Sequence, residues 1–345
     1  MAISGPASFE PTTNTFLSHW LICNNLRPPA SPLLVRLPER DVTFTRAQLV
    51  GIRDELVTQQ GVVQGYLTDR QIARGAINIK KATLLARFNQ FTTHMDGNYR
   101  NTAFYEARPL APSITDGQEV FSRAILEAVK LWEKLNSGPA PAGVGLPLVL
   151  PPIEATPGIP GTQGTLDAGG YASLLSALQF DYASEVDKEQ FVIIERAKRN
   201  RIQDRAYEIL KAYRENVPSK MSSWPEVVET MPRLTPLPGH TPDAVNASAV
   251  FVAPNQFKVV YDASTDAMLE GYQLRGNVGD DYSHEDAVVI ATHSPSDPRE
   301  FVLPFGLNQP GARVALKLYV ILNTGNEAGS AAMIVERPVS LPLAA

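Results

Sequence analysis

The sequence predicts an α+β chain of two domains, an N-terminal helical bundle followed by a C-terminal antiparallel β-sandwich. Three observations predict it. Beyond Asn246, short apolar runs alternate with polar residues and are separated by Gly, Pro and Asp clusters, the period-two pattern of half-buried strands. Upstream of Met231 the apolar residues recur every three or four positions instead, which is the period of a helix packed on one face. Between them, Met231 to Pro242 (MPRLTPLPGHTP) has no periodic apolar face and is rich in proline, so the domain boundary falls there. A chain of 345 residues is long enough for two cores that need no covalent staples.

The helical part is read from its caps and its stripes. Residues 1–44 are read as an N-terminal extension, with Phe16, His19 and Trp20 as core or anchoring residues. Thr45 and Gln48 form a capping box, behind which Leu49, Ile52, Leu56 and Val57 recur at helical spacing. Leu67 to Phe91 carries a second helix that turns Ile72, Ile79, Leu84, Leu85 and Phe88 to a core, weakened at Gly75. Thr115 with Gln118 caps a third, with Val120, Ile125, Leu126, Val129 and Leu131, which stops at Asn136-Ser137-Gly138-Pro139. Tyr171 to Phe180 forms a shorter helix. Ser184 with Asp187 opens the longest, through Phe191, Ile194, Ile202, Ala206, Ile209 and Tyr213 to Val217-Pro218. Helices joined by such connections make a bundle over residues 45–230.

Within that bundle lies a Pro/Gly-rich insert, residues 137–170. Its prolines remove donors and its glycines add backbone entropy, so regular structure is excluded from most of it. A solvated linker has no use for Leu146, Leu148, Val149, Leu150 and Ile153. The alternative to a flexible linker is an extended arm that lays these five side chains on a neighbouring molecule, and they are the candidate interface residues. A hinge, residues 231–245, leads to the sandwich, residues 246–345.

In the sandwich, Phe257 to Ser264 is a strand with Phe257, Val259 and Tyr261 on one face. Leu269 to Arg275, Val288 to Ala291 and Arg299 to Leu307 repeat the device. After the Pro310-Gly311 turn, Val314 to Leu322 is the longest strand, with Val314, Leu316, Leu318, Val320 and Leu322 on one side. Asn323-Thr324-Gly325 ends it, and Ala331 to Val335 supplies a last edge.

This order resembles a fibronectin type III domain. In that family a core aromatic ends the second strand, a Gly-Tyr opens the third, a Leu and then Pro-Gly precede the sixth, and a Gly/Ser-rich turn leads to the last. Here Tyr261 stands where the family usually has Trp, and Val314 where it usually has the corner Tyr, with one extra residue between Leu307 and Pro310. The resemblance covers about a quarter of the chain and implies a spacer or binding platform. The cell-attachment tripeptide of such modules is absent, because Arg275-Gly276 is followed by Asn277.

Composition narrows the function classes. A net charge of −5 argues against a nucleic-acid binder or a binder of anionic membranes, either of which needs a basic face. A single cysteine, Cys23, precludes an internal disulfide framework and fits a reducing compartment. No stretch reaches the roughly 20 apolar residues of a membrane helix, and the first residues lack a cationic start and an apolar core, so a cytoplasmic location is expected. The histidines (His19, His94, His240, His284, His293) show no i,i+4 pair, and no phosphate-cradling loop or nucleophile elbow occurs, so no catalytic, cofactor or metal residues are assigned.

Two charged clusters remain. Asp280 to Asp286 (DDYSHED) is read as a solvated loop between strands, with calcium as the alternative ligand. Lys198, Arg199, Arg201 and Arg205 are read as a solvated helix face, Glu195 pairing with Arg199. The expectation is a non-enzymatic structural or assembly subunit that associates with itself through the arm. A binding module comes second, recognising a glycan or protein through Gly279 to Asp286 or Thr292 to Arg299.

Overall fold

A computed structural model describes residues 3–37, 42–139, 144–155, 161–162, 164–252 and 254–338. The helices are α1 (Phe9–Leu26), α2 (Arg46–Asn98), α3 (Ala103–Glu106), α4 (Gln118–Ser137), α5 (Ala168–Lys220) and α6 (Pro225–Glu229). A small hairpin pairs β1 (Val35–Leu37) with β2 (Val42–Phe44). The remaining strands are β3 (Ala247–Val252), β4 (Gln256–Tyr261), β5 (Leu269–Val278), β6 (Val288–His293), β7 (Glu300–Pro304), β8 (Arg313–Leu322), β9 (Glu327–Gly329) and β10 (Met333–Glu336). The chain divides into two compact units, Met1–Thr68 with Gln190–Ser340, and Asp69–Glu189. The division runs through α2 and α5, so the compact units do not follow the 231–245 boundary read from the sequence.

The predicted helices of residues 45–91 are one helix, as are those of 171–217. The Thr45/Gln48 capping box is present: Thr45 N donates to Gln48 Oε1 at 2.8 Å and Gln48 N to Thr45 Oγ1 at 3.3 Å. Gly75 does not break α2, because one helical glycine costs only about 1 kcal/mol against Ala. Ser184 is interior to α5, whose true start is capped by Asp167, its Oδ1 accepting from Gly170 N at 2.7 Å. The Thr115 cap is also absent, since Gly117 is the N-cap of α4.

The first unit holds a helical core and the sandwich. Residues 3–37 and 42–44 join the helical core: α1 and β1 bury Phe16, Leu17, Trp20, Cys23 and Val35 in one cluster with Leu49, Ile52 and Leu56 of α2 and Ile202, Ile209 and Tyr213 of α5. His19 is held by polar partners here, Nδ1 2.8 Å from the Tyr213 hydroxyl and Nε2 2.8 Å from the Val227 carbonyl. The 231–245 segment is tied to both neighbours. Leu234 is buried in the helical core, its carbonyl accepts from Ile3 N, and Leu237 N donates to Thr324 O.

The sandwich packs a three-stranded sheet, β3-β4-β7, on a five-stranded one, β10-β8-β5-β6 with β9 beside β8. This is a fibronectin type III-like strand order. The predicted inward face is buried: Phe257, Val259, Tyr261, Val314, Leu316, Leu318 and Val320 share one cluster, and Leu322 is buried as well. Gly325 ends β8 at φ +84°, a left-handed conformation open to glycine at little cost. Strand β3 was not foreseen.

The second unit packs α4 between residues 77–95 of α2 and 168–178 of α5. Trp132 stacks on Phe91 with centroids 5.2 Å apart, and the Tyr171 hydroxyl donates to Leu84 O at 3.0 Å. Ile72 and Ile79, assigned inward from the sequence, are exposed, as are Val120 and Leu126. Leu84 and Phe88 do face inward as predicted, and Ile77, which the predicted stripe leaves out, joins them. Val57, Phe191 and Ile194 are likewise exposed in the first unit.

Glu185 accepts from Arg70 and Arg74, each at 2.9 Å. Burial raises its carboxyl, but the two guanidinium groups outweigh that and hold it below the usual glutamate range. This contribution is present above the unfolded value near 4.3 and disappears as pH falls through the lower folded value. Acid titration followed by circular dichroism is expected to show Arg70→Met unfolding at higher pH than the parent. Separately, Tyr261→Ala is expected to cost about 3–5 kcal/mol in denaturant melts, the range for emptying a buried aromatic site.

Candidate functional site

The five arm residues lie in the second unit, on its own helices. Leu148 and Leu150 are buried among Phe91, Trp132 and Tyr171, Leu146 and Ile153 are half-buried, and Val149 is exposed. The arm's backbone polar groups are met there too. Trp132 Nε1 donates to Leu148 O at 3.1 Å, and Leu148 N donates to Asn136 Oδ1 at 2.8 Å. Isolated antiparallel bridges join Leu150 to Leu166 and Ile153 to Thr162. Arg87, buried, donates to Pro151 O and Thr162 Oγ1. Leu148 and Leu150 are therefore covered within the chain, while Val149 faces outward.

The acidic loop meets α5 through Arg199 of the basic cluster and through Arg196 beside it, while Lys198, Arg201 and Arg205 stay exposed as a solvated helix face. Asp286, whose side chain is 3% exposed, accepts from Arg196 Nε at 2.6 Å and from Arg196 Nη2. Arg199, buried, donates to Glu285 O at 2.7 Å and lies 3.4 Å from Glu285 Oε1. Gln64 of α2 bridges them, donating to Asp286 O at 2.6 Å and accepting from Val278 N at 3.2 Å. The loop is also pinned to β5, because Asn277 Nδ2 donates to Asp281 O and Ser283 N to Asn277 Oδ1. Gly279 makes the turn at φ +137°. So Glu285 and Asp286 are tied to α5 while Asp280, Asp281 and His284 stay exposed as a solvated loop would have them, and Glu195 pairs with Lys198 and Gln59, not Arg199.

Beneath this loop, Arg275 is buried on the outer face of β5. It donates to Glu327 at 2.8 and 2.5 Å and to Gln273 at 2.6 Å, and its guanidinium lies 4.1 Å from the Tyr319 ring centre. Gln273, Arg275 and Asn277 alternate along β5 as solvent-facing residues would. Nothing in the sequence marks them as covered.

The open end of the sandwich is a further site-like region. A cleft of about 240 Å³ is lined by Asp243 to Asn246 and Asp262 to Asp266. His240 Nε2 lies 2.6 Å from Asp266 Oδ2, Met268 N donates to Asp266 Oδ1 at 2.9 Å, and Asn246 Nδ2 donates to Asp262 Oδ2 at 3.1 Å. The His240 hydrogen bond, then the Met268 amide, hold the Asp266 carboxyl below its ordinary value. Beside the cleft, Ser264 N and Arg299 Nη1 both donate to the Tyr272 hydroxyl, at 2.7 and 2.6 Å. The Tyr261 hydroxyl lies 2.9 Å from His293 Nδ1, and burial pushes it up to about 12. This end offers hydrogen-bond acceptors. Among the described residues, no group of three His, Cys, Asp or Glu side chains is placed to hold a metal, and no helix is long and apolar enough to cross a membrane.

Searched against known proteins, the chain matches no family model and no curated relative. Among solved structures it is similar to the FN1-FN3 domains of chicken CNTN1, with 17% identity, a TM-score of 0.24, and 31% of this chain matched to 34% of that one. It is also similar to an Fn3-like protein from Clostridium thermocellum (20% identity, TM-score 0.22, 30% of this chain, 100% of that chain). The fn3 domain of human contactin 1 matches at 16% identity and a TM-score of 0.24, over 32% of this chain and 90% of that one. The chain thus spans about a third of the length of the chicken CNTN1 fragment.

Removing one partner of a buried charge pair strands the other without solvent or counter-charge. Arg196→Met is expected to destabilise the first unit by about 2–4 kcal/mol, and Arg196→Met/Asp286→Leu by clearly less than the sum of the single changes, read from urea melts. At the open end, His240→Ala is expected to raise the Asp266 titration midpoint, followed by carboxyl-carbon NMR.

Proposed function

We propose that this chain is a non-enzymatic structural subunit that associates with itself or with another protein through its helical and sandwich surfaces. The observation that carries the reading is the exposure of large apolar side chains on regular, hydrogen-bonded elements: Ile72, Ile79, Phe180 and Val186 on helices of the second unit, and Val250, Val260 and Val302 on strands of the first. Rigid surfaces lose little entropy on binding, so apolar area presented on them favours association. The charged clusters support the same reading from the other side. Arg196, Arg199, Glu285 and Asp286 are engaged in ties inside the chain, which suits a scaffold.

A second reading has its own support. The cleft at the open end of the sandwich presents Asp243, Asp262, Asp266 and Asn246 together, an acceptor-rich lining suited to the hydroxyl donors of a glycan.

Light scattering across a concentration series tests the first reading. Mass above the monomer value, rising with concentration, is expected. A monomer at every concentration, together with binding on a glycan array that Asp262→Ala removes, would replace it with the second.

A further inference from the structure

The outward side chains of the three-stranded sheet are placed by its register. Val250 of β3 stands beside Lys258 of β4, which stands beside Val302 of β7, and in the adjoining row Val260 stands beside Glu300. The three valines are 58%, 44% and 45% exposed. Lys258 Nζ reaches diagonally to Glu300 Oε2 at 2.6 Å. A solvated sheet face is ordinarily polar at these positions. The opposite outer face of the same sandwich is closed by the chain itself: Gln273, Arg275, Asn277 and Tyr319 are buried there.

We infer that the outer face of β3-β4-β7 is a homotypic contact, through which two copies of this chain meet face to face about a two-fold axis. The inference rests on the self-association reading and names its surface. Charge selects the occupant. Each copy carries a net charge of −5, so two copies repel over most approaches. This face carries one cation and one anion and no net charge. A two-fold rotation brings Lys258 of each copy towards Glu300 of the other, while the valines supply apolar contact.

The size of the face sets the strength. Three strands about 4.8 Å apart over about five residues at 3.3 Å cover a few hundred Å² per copy, below the roughly 800 Å² per partner of a stable complex. The contact is therefore weak, with a dissociation constant between about 10 μM and 1 mM.

Sedimentation equilibrium of the full chain from about 5 μM to 1 mM reads it directly. The expected result is a mass that climbs towards the dimer, with Val250→Asp and Lys258→Glu each weakening association at least about 10-fold, and Lys258→Glu/Glu300→Lys recovering most of it. Thermal midpoints of the variants are expected to stay near the parent, since these positions are exposed. If the parent associates but Val250→Asp and Lys258→Glu associate equally well, the surface is wrong and self-association stands. If the parent stays monomeric to 1 mM, both fall.

Discussion

The carboxylate of Asp286 is almost wholly removed from solvent, and a charge in that position has to be matched. Arg196 matches it with two hydrogen bonds, and Gln64 takes up the neighbouring backbone from a different helix. The three groups lie on α5, on α2 and on the loop after β5. Asp286 and Arg199 are buried where the sandwich loop meets α5, and each finds a partner on the other side of that contact. The consequence reaches into the sheet. With the loop held down, β5 and β8 are buried on both faces, and Arg275 must find Glu327, Gln273 and the Tyr319 ring in place of water.

The second unit meets a related constraint by similar means. A Pro-rich segment cannot close its own backbone hydrogen bonds, so it lies against a protein surface only where side chains supply the partners. Arg87, Trp132 and Asn136 supply them, which lets Leu148 and Leu150 reach the core. An arm without those three side chains would remain in solvent or seek another molecule. Here it becomes part of the helical body.

These two sets of ties shape the surface left for function. They engage Asp286, Glu285 and Arg199 of the charged clusters and Leu148 and Leu150 of the arm. What they leave in the first unit is a sheet face with exposed valines and an acceptor-rich cleft at the open end of the sandwich. Neither depends on a single reactive residue. Both present shape and charge, which suits contact more than chemistry.

Much of the fold was legible because it follows local periods. Alternation placed Phe257, Val259, Tyr261 and the inward residues of β8 without error, and the Thr45/Gln48 box marked the start of α2. Helix stripes were less reliable. Ile72 and Phe191 fit an apolar period yet lie exposed, because a period gives a face and not the position of what packs on it. The packing of α1 is hard to read from the sequence because its inward residues Phe16, Leu17, Trp20 and Cys23 are joined there by the polar Thr12, Thr13 and His19. The candidate site was hardly legible. Gln64, Arg196 and Asp286 are far apart in sequence, and charged residues read as solvated until something covers them. By itself the sequence determined the two classes of element, the sandwich's inward face and the two charged clusters. Only the tertiary structure decided that Asp286 is matched by Arg196, that Arg199 meets Glu285, and that Leu148 and Leu150 lie in the second unit's core, because burial and charge pairing depend on which distant segments meet.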